Sequence, residues 1–120
     1  MDDYTVMVFP VANPAGWREF AIDVANGERA EAHQQFLSRV GVRRETNFLQ
    51  QIGPEQFVIV AIWDGIAPAR AQIAMQQLVD APQSPHEEYV AHVVVPSLHG
   101  VQESDWVAPA IELVSVIEAS

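Results

Sequence analysis

The alternation of apolar and polar positions changes period several times along the chain, and each change marks an element. Tyr4–Val11 (YTVMVFPV) is a β-branched and aromatic run that reads as a strand. Asn13-Pro14 then supplies an N-cap with proline at the first helical position. Helical spacing continues from there to Val40, where Gly41 is a stop signal. Two apolar stripes share this stretch. Trp17, Phe20, Ala21 and Val24 form one, and His33, Phe36, Leu37 and Val40 form the other at i, i+3, i+4 and i+7. At roughly 100° per residue the stripes are about 140° out of phase. A kink, bulge or break is therefore expected at Asn26-Gly27, which lies between them.

Two further strand-type runs follow, Val42–Ile52 and Gln56–Trp63, with Gly53-Pro54 as a hairpin turn between them. Pro68 opens a second helix that ends near Asp80. Ser84-Pro85-His86-Glu87 is a capping-box pattern opening a third helix, which Gly100 closes. After an irregular stretch containing Trp106, Ile111–Ile117 reads as the last strand. The order β-α-β-β-α-α-β reduces to βαββαβ with an extra helix before the last strand. It predicts one α+β domain over residues 1–120, with a ferredoxin-like antiparallel sheet in strand order 4-1-3-2. Polarity points the same way. Strands one and three are apolar at nearly every position, as central strands are. Strand two carries Arg43, Arg44, Glu45, Asn47 and Gln51, and strand four carries Glu112 and Ser115, which reads as two charged edges. Because strands one and three are apolar on both sides, the helix-free sheet face would expose a large apolar patch. A homodimer packed through that face is the expected remedy, with Val8 and Val60 at or behind the interface.

Composition narrows the function. At 49% hydrophobic, 120 residues suffice for one compact core. The absence of cysteine excludes disulfides, thiolate metal sites and cysteine nucleophiles, and the absence of lysine excludes Schiff-base chemistry. A net charge of −10 argues against nucleic acid or an anionic membrane surface as partner. The longest apolar run, Phe57–Trp63, is too short to span a bilayer, and the acidic start MDDYTV lacks the basic n-region of a signal peptide. A cytoplasmic location is the expectation.

Candidate chemistry rests on the histidines. His33 interrupts an apolar stripe, so its burial must be matched by a hydrogen bond or used for chemistry. It reads either as a structural core histidine or as a neutral imidazole lining a cavity and acting as a general base. His99 precedes Gly100, where interaction with the helix C-terminus explains it as well as a cavity role does. His86, beside the cap, and His92, away from the apolar face, read as solvent-exposed, and Glu87 has a capping role. No pair of histidines has helical or strand metal-ligand spacing, so no metal is expected. No phosphate loop, nucleophile elbow or paired-acid motif appears, and no cofactor is expected.

The chain resembles the dimeric α+β barrel superfamily, which includes antibiotic-biosynthesis monooxygenases, stress-responsive and EthD-like proteins and muconolactone isomerases. More narrowly, it resembles small bacterial proteins of unknown function, of the DUF6176-like kind. The residues carrying the resemblance are Arg29 and His33 in the helix, Gly41-Val42-Arg43-Arg44-Glu45 at the strand start, Leu49-Gln50, and Leu98-His99-Gly100. Where those proteins carry an aromatic residue and an arginine in the third helix, this chain has Tyr89-Val90-Ala91. The resemblance implies a cavity between sheet and helices. Its catalytic candidates are His33 and His99, and Trp17, Phe36, Leu37 and Trp63 are the candidate walls for a ligand. The expected function is binding of a small apolar or aromatic molecule. The alternative is a cofactor-free monooxygenase, isomerase or polyketide-type cyclase that uses a buried histidine as general base.

Overall fold

The computed structural model describes residues 3–94 and 110–119. The chain runs β1 (Tyr4–Val11), α1 (Pro14–Asn26), α2 (Ala30–Val40), β2 (Arg44–Gly53), β3 (Gln56–Asp64), α3 (Pro68–Asp80), α4 (Pro85–Tyr89), a π-helical turn (Val90–Val94) and β4 (Ala110–Glu118). It is an α+β fold with four antiparallel strands in one open sheet. No described helix is long and apolar enough to cross a membrane.

The local signals act where the sequence places them. The Asn13 side chain accepts a hydrogen bond from the Gly16 N–H at 3.0 Å and caps α1. The two out-of-phase stripes separate into two helices, and the break falls after Asn26, with Asp23 accepting from the backbone of both Gly27 and Glu28. Gly41 ends α2 at φ 92°, in the left-handed region, and the Val42 N–H returns to the Leu37 carbonyl at 2.9 Å. Ser84 caps α4 by accepting from the Glu87 N–H at 3.1 Å. Within the described residues the expected third helix is α4 followed by the π-helical turn, to Val94. Its predicted end at Gly100, together with His99 and Trp106, lies outside the described residues.

The strand order is β1-β3-β2-β4, which corrects the predicted 4-1-3-2. The three neighbours β1, β3 and β2 stand as expected, but β4 joins β2 instead of β1. Strand β2 is therefore interior and β1 is an edge. The physical reason is that the polar residues of β2 do not all face water. Glu45 and Asn47 point at the helices and are buried there, and Asn47 Nδ2 donates to Ser115 Oγ across the β2–β4 pair at 3.0 Å. Pro10 in β1 lacks a backbone N–H, and edge strands tolerate that loss.

All described helices pack on one face of the sheet. On the other, Tyr4, Val6 and Val8 of β1 and Ile111, Leu113 and Val116 of β4 are 39–63% exposed. On the helix side the apolar residues divide into two clusters. The larger includes Val24, Phe36, Leu37, Trp63, Leu78 and Ile117, and the smaller Val11, Leu49 and Ile59 with Trp17 and Phe57 against them. Between the clusters the packing leaves a cavity.

A candidate ligand cavity with a buried carboxylate

The cavity has a volume of about 110 Å³ and lies between the sheet and the helices. Its walls are apolar except along one side. Phe9, Trp17, Phe20, Phe36 and Trp63 supply aromatic surface, and His33, Glu45 and Asn47 supply the polar side. Two outer grooves share wall residues with it. One, between α1 and the π-helical turn, shares Trp17, Phe20 and Val94; the other, between β1 and α3, shares Met7, Phe9 and Met75.

The polar side is built by β2. Strand alternation puts Glu45 and Asn47 on the same face as Leu49, towards the helices. Glu45 Oε1 accepts from His33 Nε2 at 3.0 Å and from Asn47 Nδ2 at 3.1 Å, and Oε2 accepts from the Trp63 indole N–H at 2.5 Å. A carboxylate offers about four acceptor sites, so one on Oε2 is left over among the described residues. Burial alone raises the Glu45 pKa, but the His33 ring beside it and the hydrogen bonds from His33, Trp63 and Asn47 outweigh burial. The net effect holds it below the ordinary carboxylate range.

The chain of hydrogen bonds continues outward. His33 Nδ1 lies 3.0 Å from His86 Nε2, and His86 Nδ1 lies 3.5 Å from Arg29 Nη1. The Glu45 carboxylate accepts from His33 Nε2–H, and a guanidinium can only donate, so Arg29 presents a donor to His86 Nδ1. His86 is pushed down to about 4, first by burial and then by the neighbouring His33 ring and Arg29 guanidinium, so it is a neutral imidazole near pH 7. Arg29 also stacks on Tyr89, 3.9 Å from the ring centroid, and pairs with Asp23 at 3.4 Å.

The sequence-derived site residues distribute as follows. His33, Trp17, Phe36 and Trp63 all line the cavity, while Leu37 is fully buried in the packed core and is not part of its wall. Both ring nitrogens of His33 are engaged by protein groups, yet the ring also borders the void. His92 is exposed, as expected. His86 is corrected from surface to interior: it is 5% exposed, because the short α4 turns its first residues onto α1 and α2, where Phe20 stacks on the ring. Glu87 does more than cap. Its carboxylate takes a two-pronged pair from Arg39 at 2.6 and 2.8 Å. Glu45 was expected on a charged edge and is a buried centre of the site.

Three of the motif residues, Arg29, His33 and Glu45, fall in this one hydrogen-bonded row. Among the described residues no group of three or more histidines or acids is placed to hold a metal ion. Comparison with protein families, curated proteins and solved structures found no match for this chain.

Proposed function

We propose that the protein binds a small, mainly apolar molecule in the cavity between sheet and helices. The observation that carries this reading is an aromatic-walled void with a buried carboxylate on its wall. Small-molecule sites have this composition, with apolar walls and a few placed polar groups. Trp17 and Trp63 both line the cavity, so ligand entry should change the intrinsic fluorescence. Ala21→Leu fills the same space from α1. A panel of small ring compounds should perturb the fluorescence and raise the Tm of the wild-type chain but not of this variant. Equal responses from the two chains would place the binding elsewhere.

The protein acts, in this reading, as a homodimeric α+β barrel. The support is the exposed apolar face, which carries Tyr4, Val6 and Val8 on one edge and Ile111, Leu113 and Val116 on the other. Soluble monomers rarely expose a large apolar patch, and a second copy packed about a twofold axis would cover this one. A cytoplasmic location accords with the acidic, cysteine-free composition.

A second reading, favoured by the carboxylate–imidazole pair on the wall, is cofactor-free catalysis by proton abstraction. With both nitrogens of His33 engaged, the base on the cavity wall is the Glu45 carboxylate, and His33 positions it. Protein-accelerated α-deuteration of cyclopentanone in D₂O, followed by NMR, tests this. A rate equal to that of buffer would remove the reading.

A further inference from the structure

We propose that the ligand is a single small ring carrying a hydrogen-bond donor, an N–H or O–H, and that Asn47 Oδ1 receives it. This rests on the cavity being a ligand site and names the class of ligand it takes.

Asn47 spends both hydrogens of its amide, on Glu45 Oε1 at 3.1 Å and on Ser115 Oγ at 3.0 Å. A carboxylate oxygen cannot donate, so the amide atom facing Glu45 is the nitrogen and the orientation of the amide is fixed. Its oxygen, Oδ1, has no hydrogen-bond partner among the described residues. Every described side-chain nitrogen or oxygen that is sealed off has a partner, so Oδ1 is not sealed and borders open space. Asn47 is 6% exposed and lines the cavity, which puts Oδ1 on the cavity wall.

The donors around Oδ1 are spent. His33 engages one ring nitrogen with Glu45 and the other with His86, whichever of them carry protons, and the Trp63 indole N–H goes to Glu45. Glu45 Oε2 keeps an acceptor site of its own. The polar side of the cavity thus offers open acceptors and no open side-chain donor among the described residues. That count is the same for either charge on His33 and either tautomer of His86. Trp17 carries a further indole N–H, on α1 and outside this network. A buried acceptor without a donor forfeits a hydrogen bond that water gave the unfolded chain. A ligand N–H or O–H restores it, whereas a ring with an acceptor alone sets lone pair against lone pair. The size sets the rest: a cavity of about 150 Å³ is known to hold benzene, so about 110 Å³ suits a single small ring.

The test uses the full chain and two planar five-membered rings of one shape, pyrrole with an N–H donor and furan with an oxygen in its place. Both are uncharged at pH 7, so attraction to the net charge of −10 plays no part. Furan is the more hydrophobic, so a preference for pyrrole is not a matter of apolar burial. Calorimetric titration and thermal shift should show pyrrole binding about fivefold tighter, the scale of one net hydrogen bond. Asn47→Leu should remove that preference, and Ala21→Leu should abolish both responses. If Asn47→Leu does not fold, the side-chain ¹⁵N resonance of Asn47 in the wild-type chain decides: it should move with pyrrole and not with furan, and equal shifts overturn the assignment. Furan binding as tightly as pyrrole overturns the donor class and leaves the cavity reading standing. A preference that survives Asn47→Leu places the donor on Glu45 and overturns the role of Asn47. No response to either ring, or a response that survives Ala21→Leu, overturns both readings.

Discussion

The hydrogen bond from the Trp63 indole to Glu45 ties the large apolar cluster to the buried carboxylate, and a double-mutant cycle can isolate it. Trp63→Phe removes a bond to a charged acceptor, of the kind worth about 1.5–3 kcal/mol. It also trims a side chain that is 3% exposed. A residual void of roughly 40 Å³ at about 24 cal/mol per Å³ adds about 1 kcal/mol. The single substitution should therefore cost about 2.5–4 kcal/mol. Glu45→Gln keeps the shape of residue 45 but removes the charge, leaving at most a neutral bond worth about 1 kcal/mol to the indole. In that background Trp63→Phe should cost about 0.5–2 kcal/mol less, because the packing loss is common to both arms and cancels. Urea unfolding of the four proteins, followed by far-UV circular dichroism, measures the difference. If Trp63→Phe costs the same in both backgrounds to within about 0.5 kcal/mol, the two residues do not interact. The assignment of Glu45 as an ionised, indole-bonded group would then fail.

Acid should destabilise the fold in two stages. His86 is lowered from 6.5 to about 4, so the unfolded chain takes up its proton first and stability falls as pH drops across that window; at 1.36 kcal/mol per pH unit, about 3 kcal/mol is the ceiling, and screening near Arg29 reduces it. Glu45 and Glu87 are also lowered, so their contributions are lost below the ordinary carboxylate range, and His86→Phe should remove the earlier stage alone in urea titrations against pH. Ser84→Ala should cost about 0.5–2 kcal/mol through loss of the α4 cap, while His92→Ala should stay within about 0.5 kcal/mol, and a large loss at His92 would contradict its exposure. Sedimentation at micromolar concentration should find a dimer that Val8→Glu converts to monomer, and a monomeric wild-type chain would refute the sheet-face interface.

The elements were legible because their signals are local. Asn13, Ser84 and Gly41 act within a few residues of themselves, and the phase slip between the Trp17 and His33 stripes is enough to separate α1 from α2. The sheet order was misread because charge was equated with solvent. On β2 the exposed Arg44 and the buried Glu45 are neighbours in sequence and opposite in face. The alternation of Glu45, Asn47 and Leu49 against Arg44, Thr46 and Phe48 held the information, and so did Pro10 in β1. His86 offered no comparable signal. Its partner His33 lies 53 residues earlier, and nothing around Pro85-His86 distinguishes a capped surface turn from one docked on two other helices. His33 was found because a polar residue in an apolar stripe must be answered somewhere, though the sequence could not say that the answer comes from both sides of the ring.

The place of β2 and β3 in the middle of the sheet has a kinetic consequence. They form a hairpin joined by a short turn, so the centre of the sheet assembles from contacts close in sequence. Strands β1 and β4 come from the two ends of the described chain and dock on opposite sides of that template, each closing a long loop. Substitutions in the hairpin should therefore slow folding, and those in β4 should chiefly speed unfolding. The bond from Asn47 to Ser115 forms only when β4 arrives, and the bond from His33 to His86 only when α4 settles on α2. The polar row around Glu45 is thus completed late, and a chain that has built its hairpin still lacks the helical side of the cavity.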